Sequence, residues 1–204
     1  MSDTRHTLHE MSMNSVRYSR AVNEFGDLVA LGSSRRWDAP SPCSEWSARD
    51  VVGHVIAVQH AIVATIDGQR APMNPMVDPG RHAGQDPAAT WTVAVAAISA
   101  ALDQPDVLDR IVQTWRGHVT VDEMIGYNVG DTTIHTWDLA RALGVDDQLD
   151  ADLVAASLAA LEPVADAMRG PGVFGQAMFI DASADAQTRL LGLVGRNRQW
   201  SGRT

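Results

Sequence analysis

A chain of 204 residues has room for one core of ordinary size and little more. Its 45% hydrophobic and 20% charged content suits a globular protein, and a formal charge of −9 argues against nucleic acid, whose phosphates it would repel. All 16 basic residues are arginine, which excludes chemistry that needs a lysine amine, and no apolar run reaches the ~18 residues of a membrane helix.

The first residues, MSDTRHTLHEMS, lack the apolar stretch of a signal peptide. Residues 1–12 are expected to form a flexible tail, and residues 13–204 a single domain. Val16, Val22, Phe25, Leu28, Val29 and Leu31 recur at helical spacing and predict a helix over 13–31. The segment GSSRRWDAPSPCSEW, 32–46, carries two prolines and reads as a loop. It holds Cys43, the sole cysteine, so no internal disulfide can form, which suits a reducing cytoplasm. Lying between Pro42 and Ser44, Cys43 has no obvious base near it in sequence.

Ser47 and Asp50 form a partial capping box and predict a helix to about Asp67. Residues 68–86, with three prolines, read as a loop. Asp86-Pro87 opens a helix to about Leu102, with proline at its first position. Residues 107–119 read as extended or loop. Thr120 and Glu123 form a full capping box, and the helix they open should end at Gly144. Residues 151–169 predict a further helix ending at Gly170, and 185–195 a short last one. These elements describe one all-α domain of four main helices with additional C-terminal helices.

The chemistry is concentrated in GDTTIHTWDLARALG, residues 130–144. Asp131 and His135 lie four residues apart, about 400° of helical rotation, so they share one face about 6 Å apart along the axis. Asn128 lies on that face too. On the helix opened at Ser47, His54 falls among Val51, Val55 and Val58 and is expected to face inward. An inward histidine on one helix and an Asp/His pair on another match the way bundle cores assemble metal sites. Spacing alone leaves the ordinary reading open, a polar stripe and a satisfied core histidine. His60, His82 and His118 fit the pattern less well. Trp46 and Trp137 read as packing residues, and Asp138 as a local cap or partner. Arg141 is a candidate neighbour of Trp137 or Asp138.

Three motifs carry a resemblance. PSPCSEWSARDVVGHVIAVQH resembles the T-P-C-x-x-W-x-x-x-x-L-x-x-H signature of the mycothiol-dependent maleylpyruvate isomerase N-terminal domain family. DTTIHTWDLARALG is similar to that family's acidic-x-x-x-H-x-W-D-L-A-R-A-x-G, and IDASADAQTRLLGLVGRNRQW resembles the tail of its small actinobacterial metal-binding branch. The resemblance runs over about residues 15–200. It implies a DinB-like four-helix bundle with a divalent metal at one end, and it places the family's ligands on His54, Asp131 and His135. The isomerase has Glu where this chain has the shorter Asp131. It also has a further C-terminal domain that helps to bind thiol and substrate, whereas only about 30 residues follow the last long helix here.

The resemblance implies a metal-dependent enzyme that uses a small thiol such as mycothiol against an electrophilic substrate, as a transferase or isomerase. Two imidazoles and one carboxylate suit Zn²⁺ first, with Ni²⁺ or Fe²⁺ as alternatives. Arg81 and Asn128 are the candidate contacts to the thiol. A non-catalytic metal- or ligand-binding module and a metal-dependent hydrolase are the competing expectations. A homodimer is left open, and neither nucleic acid nor membrane is expected as a partner.

Overall fold

A computed structural model describes residues 12–32, 36–169, 173–181 and 183–202. The long helices are α1 (Met13–Leu31), α2 (Ala48–Ile66), α4 (Pro87–Leu102) and α5 (Val121–Leu143). Short α3 (Pro79–His82) precedes α4, and α6 (Ala151–Leu161), α7 (Ala165–Arg169) and α8 (Ala186–Leu193) follow α5. Helix α1 packs on α5, α2 on both α4 and α5, and α4 closes the ring against α1. This is the expected four-helix bundle.

The helix starts follow from their caps. Ser12 accepts from the Ser15 N–H at 2.9 Å and caps α1; residues 1–11 lie outside the described residues. Ser47 and Asp50 form a reciprocal capping box on α2, and Thr120 and Glu123 do the same on α5. Gly144, with φ +65°, ends α5 in the left-handed conformation that a side chain would resist.

Helix α5 is buried on nearly every side because two cores share it. Ile125, Val129, Leu139 and Leu143 belong to the bundle core, together with Phe25, Val51, Val55 and Ile98. Ile134 and Trp137 face a second core, built with Leu158, Leu161, Leu190 and Leu191 from α6 and α8. The C-terminal helices thus cover the outer face of the bundle's central helix.

Two segments differ from expectation, and a third, 107–119, takes the extended alternative read for it. The proline-rich stretch 68–86 contains α3, which is pressed against α2. A Cβ on Gly53 would lie 1.9 Å from the Pro79 carbonyl oxygen, so only glycine allows this approach. Residues 107–119 hold a 3-10 turn (Val107–Asp109) and then an antiparallel hairpin of β1 (Ile111–Thr114) and β2 (Gly117–Thr120). The helix expected over 151–169 is broken. Pro163, which has no N–H to continue an α-helix, lies in a 3-10 turn (Glu162–Val164) that separates α6 from α7. Its expected end at Gly170 lies outside the described residues. Among the described residues, no helix is long and apolar enough to cross a membrane.

Candidate metal centre

His54 on α2 and Asp131 and His135 on α5 converge, with one candidate ligand atom from each lying within 4.8 Å of the others. Asp131 Oδ1 is 3.5 Å from His54 Nε2 and 3.7 Å from His135 Nε2. These spans are long for hydrogen bonds. They are close to the ~3.4 Å expected between two atoms that each lie about 2.1 Å from a tetrahedral cation. Among the described residues, His54 Nε2 and Asp131 Oδ2 are enclosed and have no hydrogen-bond partner. A buried polar atom without a partner is costly. The donor set and its unpartnered atoms fit a divalent metal.

Both imidazoles are aimed by their other nitrogen. His54 Nδ1 lies 3.1 Å from the Pro75 carbonyl oxygen, and His135 Nδ1 lies 3.0 Å from Asp138 Oδ2. A carbonyl and a carboxylate can only accept, so each Nδ1 carries the hydrogen, and in the neutral imidazole each Nε2 turns its lone pair to the centre. Pro75 reaches His54 because its segment is tied down. The Gly80 N–H donates to Asp50 Oδ1 at 2.9 Å, while Asp50 Oδ2 accepts from the Ser47 N–H at 2.8 Å. One carboxylate therefore starts α2 and anchors the segment above it.

Trp46 was expected only to pack. It lies against both imidazoles, with ring centroids 5.0 Å from His54 and 5.8 Å from His135. The loop places it there through a tight turn in which the Trp46 N–H donates to the Cys43 carbonyl at 3.0 Å and Glu45 adopts φ +66°. The same turn brings Cys43 beside Arg196, a neighbour that sequence proximity did not suggest. Burial still pushes the Cys43 thiol up to about 12, and the charge of Arg196 does not offset it. Cys43 is thus a neutral thiol at neutral pH and a poor nucleophile.

Asp131 keeps about a third of its side chain exposed, 34%, although Oδ2 is enclosed. Desolvation works to raise its carboxyl, but His54, His135 and Arg196 outweigh it and hold Asp131 at about 2. Burial opposes protonation of His54, and the Asp131 carboxylate outweighs that, raising His54 above its ordinary value. The centre is therefore built around a carboxylate anion.

The other candidates are distributed more widely. Arg81 is exposed on α3, two residues beyond Pro79. Asn128 is half-buried one turn before Asp131, and its amide N–H donates to the Met124 carbonyl at 2.7 Å. His60 is half-buried on α2 and His118 is exposed on β2. His82 Nε2 lies 3.3 Å from the Asn74 carbonyl oxygen. Arg141 lies over the Trp137 ring at 5.9 Å and pairs with Asp147 at 3.1 Å, not with Asp138. Sequence reasoning missed Arg196 and the Pro75 carbonyl. The GRNRQW tail was part of the quoted motif and offered the one signal that could have found Arg196.

Residues 18–140 match the family pattern of the mycothiol maleylpyruvate isomerase N-terminal domain. The chain belongs to that family. Its relatives include two Mycobacterium tuberculosis proteins, the uncharacterized proteins Rv0738 and MT0763. Each is 32% identical over 156 residues, spanning 76% of this chain and 81% of its own. Among solved structures, the mycothiol-dependent maleylpyruvate isomerase aligns with a TM-score of 0.56 at 16% identity. A histidine-to-alanine mutant of that enzyme aligns with a TM-score of 0.58 at 15% identity. Both alignments cover 83% of this chain and 75% of the isomerase chain. At that identity the likeness establishes the isomerase fold, the DinB-like bundle. His54, Asp131 and His135 all lie within the stretch that matches the family.

Proposed function

We propose that the chain binds a divalent metal through His54, Asp131 and His135 and uses a small thiol of the mycothiol type in an isomerase or transferase reaction. The observation that carries this reading is the enclosed, unpartnered pair His54 Nε2 and Asp131 Oδ2, set in a triad spaced as ligands of one cation. Two imidazoles and a carboxylate suit Zn²⁺ best, and Ni²⁺ or Fe²⁺ next. When bound, such a cation lowers the pKa of a coordinated thiol, so that thiolate is available near neutral pH.

The chain's own residues prepare that chemistry. The Nδ1 hydrogen bonds to Pro75 and Asp138 direct both Nε2 lone pairs to one point. Asp131 brings a single negative charge, so a divalent ion would keep one unit of positive charge and favour one anionic ligand more. Trp46 shields the imidazole faces from water, while the exposed part of Asp131 marks the open side. Arg81, beyond the proline whose carbonyl touches Gly53, and Asn128, one turn below Asp131, are the proposed contacts for the thiol's polar groups. The solved fold neighbours are a mycothiol-dependent isomerase, which supports a thiol as co-reactant.

One observation favours a second reading. Asp138 and Arg196 are paired with each other, and Cys43 stays protonated, so these neighbours offer no free base. A module that binds metal or thiol without turnover fits that arrangement.

The test is elemental analysis of the purified protein and of Asp131→Ala, followed by titration of low-molecular-weight thiols into metal-loaded and metal-free protein. The expected results are metal in the wild type, loss of most of it in a folded Asp131→Ala, and thiol binding that requires metal. Equal metal content in both proteins would overturn the ligand assignment. Metal without any thiol binding would leave the second reading.

A further inference from the structure

Arg196 lies beyond the stretch that matches the family, on the turn that follows α8. Gly195 makes that turn at φ +81°, and the Arg196 N–H donates to the Leu191 carbonyl at 2.8 Å. A Cβ on Gly195 would lie 2.8 Å from the backbone of Gly175 and Gln176, so the turn is pinned from the other side as well. From this anchored backbone the guanidinium reaches α5. Nε donates to Asp138 Oδ1 at 3.3 Å and Nη2 to Asp138 Oδ2 at 2.9 Å. Asp138 has 0% exposure, and its Oδ2 also accepts from His135 Nδ1 at 3.0 Å.

We propose that Arg196 is a positioning residue for the metal centre: its two-pronged grip on Asp138 fixes the carboxylate that aims His135 Nε2 at His54 and Asp131. The inference rests on the metal reading above. A fork holding both carboxylate oxygens fixes the plane of the carboxylate as well as its place. That plane sets the direction of the Nδ1–H bond, and the bond sets the ring. Without the fork, Asp138 can turn about its side-chain bonds, and His135 loses its fixed orientation. The tail thus completes a site whose ligands all come from the bundle.

Charge and position predict opposite signs. Removing a guanidinium near the centre takes away positive charge and, by Coulomb's law alone, should strengthen cation binding. Loss of an outer partner that orients a ligand weakens binding by about 10- to 100-fold. A purely structural role would lower the melting temperature and leave affinity unchanged.

The experiment is a Zn²⁺ titration of the metal-free full chain against a competing chelator, with Co²⁺ absorption as a second readout. The proteins are wild type, Arg196→Lys, Arg196→Gln, Asp138→Asn and the double variant Arg196→Gln/Asp138→Asn. Arg196→Gln and Asp138→Asn are expected to bind about 10- to 100-fold more weakly and to change the Co²⁺ bands, with Arg196→Lys between them and wild type. The double variant should be little worse than either single, because both break one chain of contacts. If Arg196→Gln shows no cooperative melt, a folded Asp138→Asn decides the matter in its place. Wild-type or tighter affinity in a folded Arg196→Gln, or in that Asp138→Asn, would overturn the inference while leaving the metal reading intact. Failure of the wild type to bind Zn²⁺ or Co²⁺ would overturn the metal reading itself, and this inference with it.

Discussion

Gly53→Ala should destabilise the protein although it replaces a mid-helix glycine with the best helix former. The propensity gain is about 1 kcal/mol. Against it stands a Cβ only 1.9 Å from the Pro79 carbonyl oxygen and 3.0 Å from the Ala83 nitrogen. Ordinary non-bonded separation is about 3.5 Å, so α3 must retreat from α2 by roughly 1.5 Å. Overpacking of this kind costs about 1–3 kcal/mol. The retreat also stretches the Gly80 bond to Asp50 and the Pro75 bond to His54, now 2.9 and 3.1 Å, at about 1 kcal/mol each. The net expectation is a loss of about 2–4 kcal/mol, read as a shift in the urea midpoint at constant slope. Metal affinity should fall in the same variant, because His54 loses the carbonyl that aims it. Stability equal to or above wild type would mean that propensity had won, and the close packing of α3 on α2 would be refuted.

Glu45 holds a φ of +66° in the turn beneath Trp46, so Glu45→Gly should stabilise the chain by about 0.5–1 kcal/mol in urea unfolding, after its entropy cost in the unfolded state; a loss of stability would show that the Glu45 side chain holds the turn. Desolvation works to raise the Asp147 carboxyl, but Arg198 and Arg141 outweigh it and lower it. Its stabilisation is therefore full above the unfolded-state value of about 3.9 and is lost as pH falls through the lower folded-state value. The stability gap between wild type and Asp147→Asn should be constant from about pH 5 to 7 and shrink below pH 4, as measured by urea midpoints across that range.

The four bundle helices were readable because their signals are local. The Ser47 and Thr120 caps, Pro87 and Gly144 act within one turn of the residues that they start or stop, and the structure places all four as expected. The elements that were misread lack such signals. Helix α3 is a four-residue element in a proline-rich stretch, held by Asp50 from 30 residues away and by the space above Gly53. The hairpin at 111–120 was not misread but was left open between extended and loop, because its four-residue strands are too short for alternation to show. The break at Pro163 was averaged away by the apolar pattern on either side of it.

The site divides along the same line. Asp131 and His135 share a face through helical spacing alone, and His54 was placed inward by the valines around it, so their convergence follows from local pattern plus the bundle. What aims them is not local to their motif. Pro75 acts through its backbone, which no side-chain pattern records. Trp46 reaches the imidazoles through a turn that needs a left-handed Glu45. Arg196 meets Asp138 across 58 residues. The triad of His54, Asp131 and His135 can be read from two helices, but its side chains point to one place only when a loop, a cap and a tail each fix one side of it. For that reason substitutions at Gly53 and Arg196, neither of them a ligand, are the sharper tests of how this centre is built.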